Sequence, residues 1–430
     1  MEEDKKDTGG YEAEGNALVG LIRERFQQAE TSKIYDEKRW LKAYRNYRGL
    51  YGPETAFREN EKSRVFVKVT KTKVLASFGQ IIEVLFSQGK FPLGVTPTSV
   101  PEGTAERAYL KPKQPEQPQA QPDPYGFNGD GREIPAGATA DDLMKTLAQD
   151  YQNLGFEEGA SSQGEPQIEP ARMAAEAMQK LLHDQLEESK AITIMRHVFF
   201  EMALLGTGIL KGPFTDLKEY NSFESGEDQE GNEINVQVKK VKTTPSIEAV
   251  SCWDFYPDPN ATTIHDCDYV IQRHSYNKQQ FQDLAEKPMF NSEAVMECLE
   301  MGPNYQTRGF ESSLYDRENI QTIYKNRFEV LEYWGIIDRK TADECGLSYE
   351  STGDVIAVNV WICGNKVLRM VENPFTPTRI PYLVCPYELN PYQFFGVGIP
   401  ENMEDSQMVM NGHARMAIDN LALAGNLVFD

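Results

Sequence analysis

The stretch from Pro97 to about Glu169 constrains this chain most. Proline, glutamine, glycine and alanine dominate it, as in Lys111-Pro-Lys-Gln-Pro-Glu-Gln-Pro-Gln-Ala-Gln-Pro122. A segment of that make-up cannot bury enough apolar surface to offset the entropy of ordering it. It reads as a mobile insertion, with room for a short helix near Asp141–Tyr151. The parts expected to fold lie on either side.

On the N-terminal side the apolar residues recur at helical steps. Leu18, Leu21, Ile22 and Phe26 form one run, and Ile34, Trp40, Leu41, Tyr44 and Tyr47 a second from Lys33, so that 15–50 reads as helical. Gly49 and Gly52-Pro53 stop it. Residues 64–70 alternate and suggest the start of a strand. They lead into a helix over 73–86 with apolar positions 74, 75, 78, 81, 82, 85 and 86, ended by Gly89 and Pro92.

Beyond the insertion, helices are predicted over Glu169–Lys190 and Ile192–Leu205. The pattern then changes to strands. Ile209–Pro213 and Ile234–Lys242 flank the acidic loop Glu224–Gly231 and read as a long hairpin. Ile247–Ser251, Asp268–Arg273, Phe328–Ile337, Val355–Cys363, Lys366–Val371 and Tyr382–Pro386 are further strands. Trp253-Asp-Phe-Tyr-Pro-Asp-Pro-Asn260 reads as a turn-rich connection, and Gly364-Asn365 as a hairpin turn. Lys278–Met301 reads as one or two helices, and an amphipathic helix runs from about Pro400 to Gly425. The fold class is α+β: helices first, a mostly antiparallel sheet region in the middle, and a long helix at the end.

Charge narrows the function. The 430 residues carry 44 Lys+Arg against 66 Asp+Glu, a net charge of −22, which argues against a bulk nucleic-acid coat. The distribution is uneven. Residues 31–90 hold thirteen basic and six acidic residues, net +7, whereas 101–170 are net −8. In the basic stripe Arg39, Lys42, Arg45 and Arg48 interleave with Tyr44 and Tyr47, a pattern that serves nucleic-acid contacts or a helix facing an acidic neighbouring subunit. The last helix has a mixed face: Glu404, Gln407, Asn411, Arg415 and Asn420 alternate with Met403, Met408, Met410 and Met416. That composition suits a subunit interface, the wall of an aqueous channel, or a plain surface helix.

Chemistry-bearing motifs are mostly absent. There is no G-x-x-x-x-G-K-[ST] and no G-x-S-x-G. Gly206-Thr-Gly208 is spaced for a helix-to-strand corner with positive φ, not for a dinucleotide loop. The six cysteines show no C-x-x-C pair and read as small buried residues, so no metal, cofactor or disulfide framework is indicated. His197, on a mostly apolar helix, reads as a packed histidine. The turn with Asp254, Asp258, His265, Asp266 and Asp268 offers hard oxygens and a base; solvated turn carboxylates are the plainer reading, a divalent-cation site or a hydrolase the other. No apolar run approaches the roughly 18 residues of a membrane span. The N-terminus lacks the order of a signal peptide, which points to synthesis and retention in a cytosol.

Three stretches together resemble a known family. They are Trp40-Leu-Lys-Ala-Tyr-Arg-Asn-Tyr-Arg-Gly49 with Ser63–Val74 and Leu85-Phe86; Trp253–Pro259 with Asp268–Arg273; and Asn373-Pro-Phe375, Arg379–Tyr382, Pro386-Tyr387, Phe395-Gly-Val-Gly-Ile-Pro-Glu401 and Gln407–Asn420. In this order they resemble the portal (head-to-tail connector) proteins of tailed bacteriophages, the short-tailed type above all. The resemblance implies a non-enzymatic ring, typically of twelve subunits, at one capsid vertex of the virion, made in the host cytoplasm. It implies a central channel for double-stranded DNA in packaging and ejection. The implied partners are the terminase packaging motor, a tail adaptor, and scaffold and capsid protein. In family terms 1–96 is the N-terminal helical part of the wing, 97–170 the insertion, 171–395 the α+β wing core, and 396–430 a helix approaching the stem. Family members usually continue further, so a fragment or shortened form is expected. Two other classes stay open: a virion or scaffold component without a channel, and a hydrolase using the 254–268 turn.

Overall fold

The computed structural model describes residues 11–59, 61–87, 91–96, 170–227, 233–287, 289–315, 326–375 and 380–425. The chain forms two units, 93–182 and the remainder, 1–92 with 183–430. In the smaller unit the described residues are 93–96 and 170–182. There the Val95 N–H donates to Gln179 Oε1 at 3.4 Å. The predicted insertion, with its short helix near 141–151, lies outside the described residues apart from Pro170.

The larger unit starts with one long helix, α1 (Tyr11–Arg48), where two runs were expected. Gly49 ends it at φ +79°, and the N–H groups of Gly49 and Leu50 both donate to Arg45 O. The strand expected at 64–70 does not form: 64–68 are irregular, and α2 (Val69–Phe86) begins a turn earlier than predicted. The reason is tertiary: side chains of the last helix hold this backbone, as described below. Next come the end of α3 (Pro170–Glu188), whose residues up to 182 belong to the smaller unit, and α4 (Ala191–Leu205). His197 of α4 is exposed, against the expectation of a packed histidine.

α4 passes into the sheets through Gly206 at φ +96°. A Cβ at Gly206 would lie 2.5 Å from Gly396 O, so only glycine lets the two chain segments cross here. β1 (Thr207–Glu227) pairs antiparallel with β2 (Glu233–Val250). The hairpin is longer than predicted on both sides, and Ile247–Ser251 is the end of β2 rather than a separate strand. Its tip at 228–232 is not among the described residues.

β3 (Phe255–Pro257) is a strand where a turn was expected, because Phe255 and Tyr256 are fully buried and pair with β4 (Tyr269–Tyr276). Between β4 and the next strand lie the short helices α5 (Lys278–Gln282), α6 (Ser292–Met301) and α7 (Gly309–Tyr315). β5 (Phe328–Asp338) is followed by a one-and-a-half-turn helix, α8 (Arg339–Glu344). Periodicity revealed neither α7 nor α8, both too short to show it. β6 (Val355–Cys363), β7 (Lys366–Glu372) and β8 (Tyr382–Pro386) complete the strands. One sheet has the order β2-β1-β8, the other β3-β4-β5-β6-β7, all pairs antiparallel. The chain ends with α9 (Ile399–Asn402) and, after a break at Met403, α10 (Glu404–Gly425). The α+β class therefore holds, long final helix included.

The main core joins distant segments. Trp40 of α1 meets Trp253 edge-on with ring centroids 5.3 Å apart and Phe395 at 4.8 Å, while Trp253 stacks on Phe310 at 4.6 Å. The three stretches quoted above thus converge on one aromatic cluster.

Candidate functional site

The polar residues of α10 do not all face outward. Gln407 is 2 % and Asn411 4 % exposed. Together with Arg415 and Asp419 they repeat every four residues, so they form a single row along the helix. This row grips the segment that leads into α2. Gln407 Oε1 accepts from the N–H (3.0 Å) and hydroxyl (2.8 Å) of Thr70, and its Nε2 donates to Val67 O at 2.5 Å. Asn411 Oδ1 accepts from the Val67 N–H at 2.9 Å. Arg415 pairs with Glu61 and donates to Tyr51 Oη at 2.7 Å. Asp419 accepts from the N–H groups of Lys62 (3.2 Å) and Ser63 (2.9 Å). The bonds to Lys62, Ser63 and Val67 satisfy backbone groups that a strand would otherwise have paired, and those of Arg415 join side chains.

The basic stripe is divided by the same geometry. Arg39 forks between Asp36 (2.6 Å) and Glu401 of α9 (2.9 Å), and Lys42 pairs with Glu404. Those two cations tie α1 to the end of the chain. Arg45 lines a pocket of about 300 Å³ with Lys42, Glu404, Gln407, Asn411 and Arg415. The two candidate sets, read separately in the sequence, therefore meet in one place. Arg48 is exposed at the end of α1, donating to Tyr44 Oη at 2.8 Å, and Asn420 is exposed on α10 outside the pocket.

Large apolar residues of α10 outside this row are uncovered. Met408 is 61 %, Met416 51 % and Leu421 72 % exposed, and Val409, Met410 and Leu423 lie out as well. A helix with a buried polar row and exposed apolar residues reverses the usual amphipathic arrangement, and such surfaces mark places of association.

Comparison with known proteins bears on this. Residues 162–427 match the family described as Phage SU10 portal protein, and the match spans α3 to α10, both sheets included. The chain belongs to this portal family. No curated protein matches it.

The family is one of structural phage proteins, and the buried charges of this portal chain are explained by its architecture. Glu332 of β5 accepts from Lys211 Nζ at 2.5 Å, Trp334 Nε1 at 2.7 Å and the His274 ring at 2.7 Å, and so links the two sheets. Burial alone would raise its pKa, but Lys211 and His274 prevail and hold it at about 2. Lys33, 2 % exposed, donates to Trp253 O at 2.6 Å and lies 3.8 Å over the Tyr256 ring; burial lowers it to about 8. Burial likewise raises Glu201 to about 7, against the Ser251 hydroxyl and Cys252 N–H that it accepts at 2.6 and 3.1 Å.

The 254–268 turn uses its carboxylates locally. Asp258 accepts from the N–H groups of Asn260 (2.9 Å) and Asp268 (3.4 Å), Asp266 from the Thr263 hydroxyl (2.8 Å), and Asp254 stands 4.0 Å from Arg273. Among the described residues no three His, Cys, Asp or Glu gather as a metal site, and no helix is long and apolar enough to cross a membrane. The six cysteines are free, five of them buried. Sequence reasoning left out of the candidate set Glu61 and Tyr51, which partner the polar row, and Asp419, which belongs to it. The four-residue spacing from Gln407 to Asp419 was the available signal for the last of these.

Proposed function

We propose that this chain is the subunit of a portal ring at a capsid vertex, through which double-stranded DNA enters during packaging and leaves during ejection. Twelve copies close the ring, which docks the terminase motor and later the tail adaptor, and meets scaffold and capsid protein. In this reading 1–96 and 171–395 form the wing, 97–170 is an insertion within it, and 396–430 leads toward the stem. The family match over 162–427 carries the proposal. The uncovered apolar residues Met408, Met416 and Leu421 of α10 support it, since each copy then offers apolar surface to the next one round the ring. The net charge of −22 suits a conduit that must not grip a phosphate backbone.

Electron microscopy of the full-length protein tests the proposal. Closed rings with a central opening of duplex width, roughly 20 Å or more, are expected. Assemblies without an opening would favour a virion or scaffold component that conducts no DNA. A monomer at every concentration and salt would contradict the ring.

A further inference from the structure

The five-stranded sheet ends in β7, and the outer side of that strand is open in part. The Asn373 N–H donates to Ala357 O at 2.9 Å, which sets the alternation along β7. Arg369 and Val371 turn their backbone groups toward β6; Leu368, Met370 and Glu372 turn theirs outward. The first outward rung is filled, since the Asn291 N–H donates to Leu368 O at 2.7 Å. Among the described residues no backbone group meets the outward rungs of Met370 and Glu372. A cavity of about 820 Å³ borders the strand instead, lined by 367–372 together with Met289, Asn291 and the loop 346–350. A sheet edge with open rungs beside a groove is the setting in which an extended peptide adds as a strand.

One cation on this strand has no counterion. Arg369 lines that cavity and a second of about 730 Å³ walled by both sheets. Its Nε is buried without a hydrogen-bond partner, its Cζ lies 5.5 Å from the Phe290 ring centre, and it forms no ion pair among the described residues. Glu332 shares its cross-strand row through Trp361 but is already held by Lys211 and His274. Glu372 accepts the Glu350 N–H at 2.8 Å. A half-buried guanidinium in this state has lost water without gaining a partner, and an arriving carboxylate supplies one, best through both oxygens.

We propose that β7 takes an extended acidic peptide as a further strand, its backbone pairing with Met370 and Glu372 and one carboxylate resting on Arg369. The partner is a segment of another protein with strand-forming residues and a single Asp or Glu. More acid would be repelled, since Glu350 and Glu372 stand on the same cavity. A free small carboxylate would satisfy Arg369 alone and leave both rungs open. The site does not require the ring.

The test titrates the full-length protein with labelled, capped hexapeptides of alternating Thr and Val, with Glu placed in turn at each position, and with the same set carrying Lys. Fluorescence anisotropy reads binding, and hydrogen exchange reads the Met370 and Glu372 amides. A Glu peptide is expected to bind roughly tenfold or more tighter than its Lys counterpart and to slow exchange at both amides. Arg369→Gln should abolish the preference, and Arg369→Glu should reverse it, an outcome that misfolding cannot imitate. Equal binding of Glu and Lys peptides, binding without protection of the two amides, or no binding by any peptide of the set would overturn the proposal. Slow exchange of both amides in the peptide-free protein would overturn it too, because the chain or a second copy would then already cover the edge. Displacement of the peptide by an equal concentration of acetate would assign Arg369 to a free small carboxylate instead.

Discussion

Gln407 caps a helix whose second residue, Thr70, lies 337 residues earlier in the chain, its Oε1 accepting from both the N–H and the hydroxyl of Thr70. Thr70 is the second residue of α2, and the residue before the helix, Lys68, has no side-chain acceptor to offer it. The usual Ser, Thr, Asp or Asn cap is therefore supplied from α10. Replacing Gln407 with Leu keeps much of the volume but takes the acceptor from the buried Thr70 N–H and hydroxyl, while the Val67 carbonyl keeps the Val69 N–H. A loss of about 2–3 kcal/mol is expected, read as a lower denaturant midpoint with an unchanged slope. An unchanged midpoint would show that water reaches these groups.

Asp419 holds the same segment from its other end, through the N–H groups of Lys62 and Ser63. The segment has no strand partner among the described residues, so the bonds from α10, these two included, slow its local opening. Asp419→Ala should raise hydrogen exchange at 62 and 63 roughly tenfold, while the global melt moves by only about 1 kcal/mol. Exchange equal to wild type would mean that Arg415 and Asn411 suffice.

Much of this fold was legible locally. β6 and β8 fall where alternation and turn residues put them, and α4 where its apolar face predicted, because each element's own pattern matches its burial. The failures share one cause. Residues 64–70 alternate like a strand, yet the N–H groups of Val67 and Thr70 go to side chains of α10; Phe255 and Tyr256 sit among prolines and aspartates that signal turns, yet they are buried in the core. The candidate residues were legible as types, Arg39 and Lys42 as cations and Gln407 and Asn411 as polar helix positions. That Lys42, Gln407 and Asn411 line one pocket, and that Arg39 pairs with Glu401, follows from contacts over more than 300 residues, which no local pattern contains.

Lys211 and Glu332 join the two sheets in a site almost closed to water. Lys211→Met removes one charge and leaves the other buried, a change expected to cost about 3–5 kcal/mol. The double variant Lys211→Met/Glu332→Leu should recover most of that. The pH dependence has a definite sign. Folding lowers Glu332 from 4.5 to about 2, so its contribution is present above pH 4.5 and is lost as the pH falls toward 2. Urea titrations across that window should show a shallower acid loss in the double variant than in wild type. Parallel curves would place the acid sensitivity elsewhere.

Glu201 has the opposite sign. Burial raises its pKa from 4.5 to about 7 in the folded chain, so the protonated form is the one the fold prefers. Its stabilising contribution is complete below pH 4.5 and is lost as the pH rises through 7, where the unfolded chain gains by ionising freely and the folded chain must ionise a carboxyl beside Ser251 and Cys252. Glu201→Gln keeps an oxygen for the Ser251 hydroxyl and the Cys252 N–H but cannot ionise. The variant should match wild type near pH 5 and exceed it above pH 8 by about 1–2 kcal/mol, less than the full shift implies because Glu201 is only partly hidden from water. The check is a pair of denaturant midpoints, one on each side of pH 7. A gain of equal size at both would trace to packing, and no gain at either would show that the folded chain ionises Glu201 at no cost.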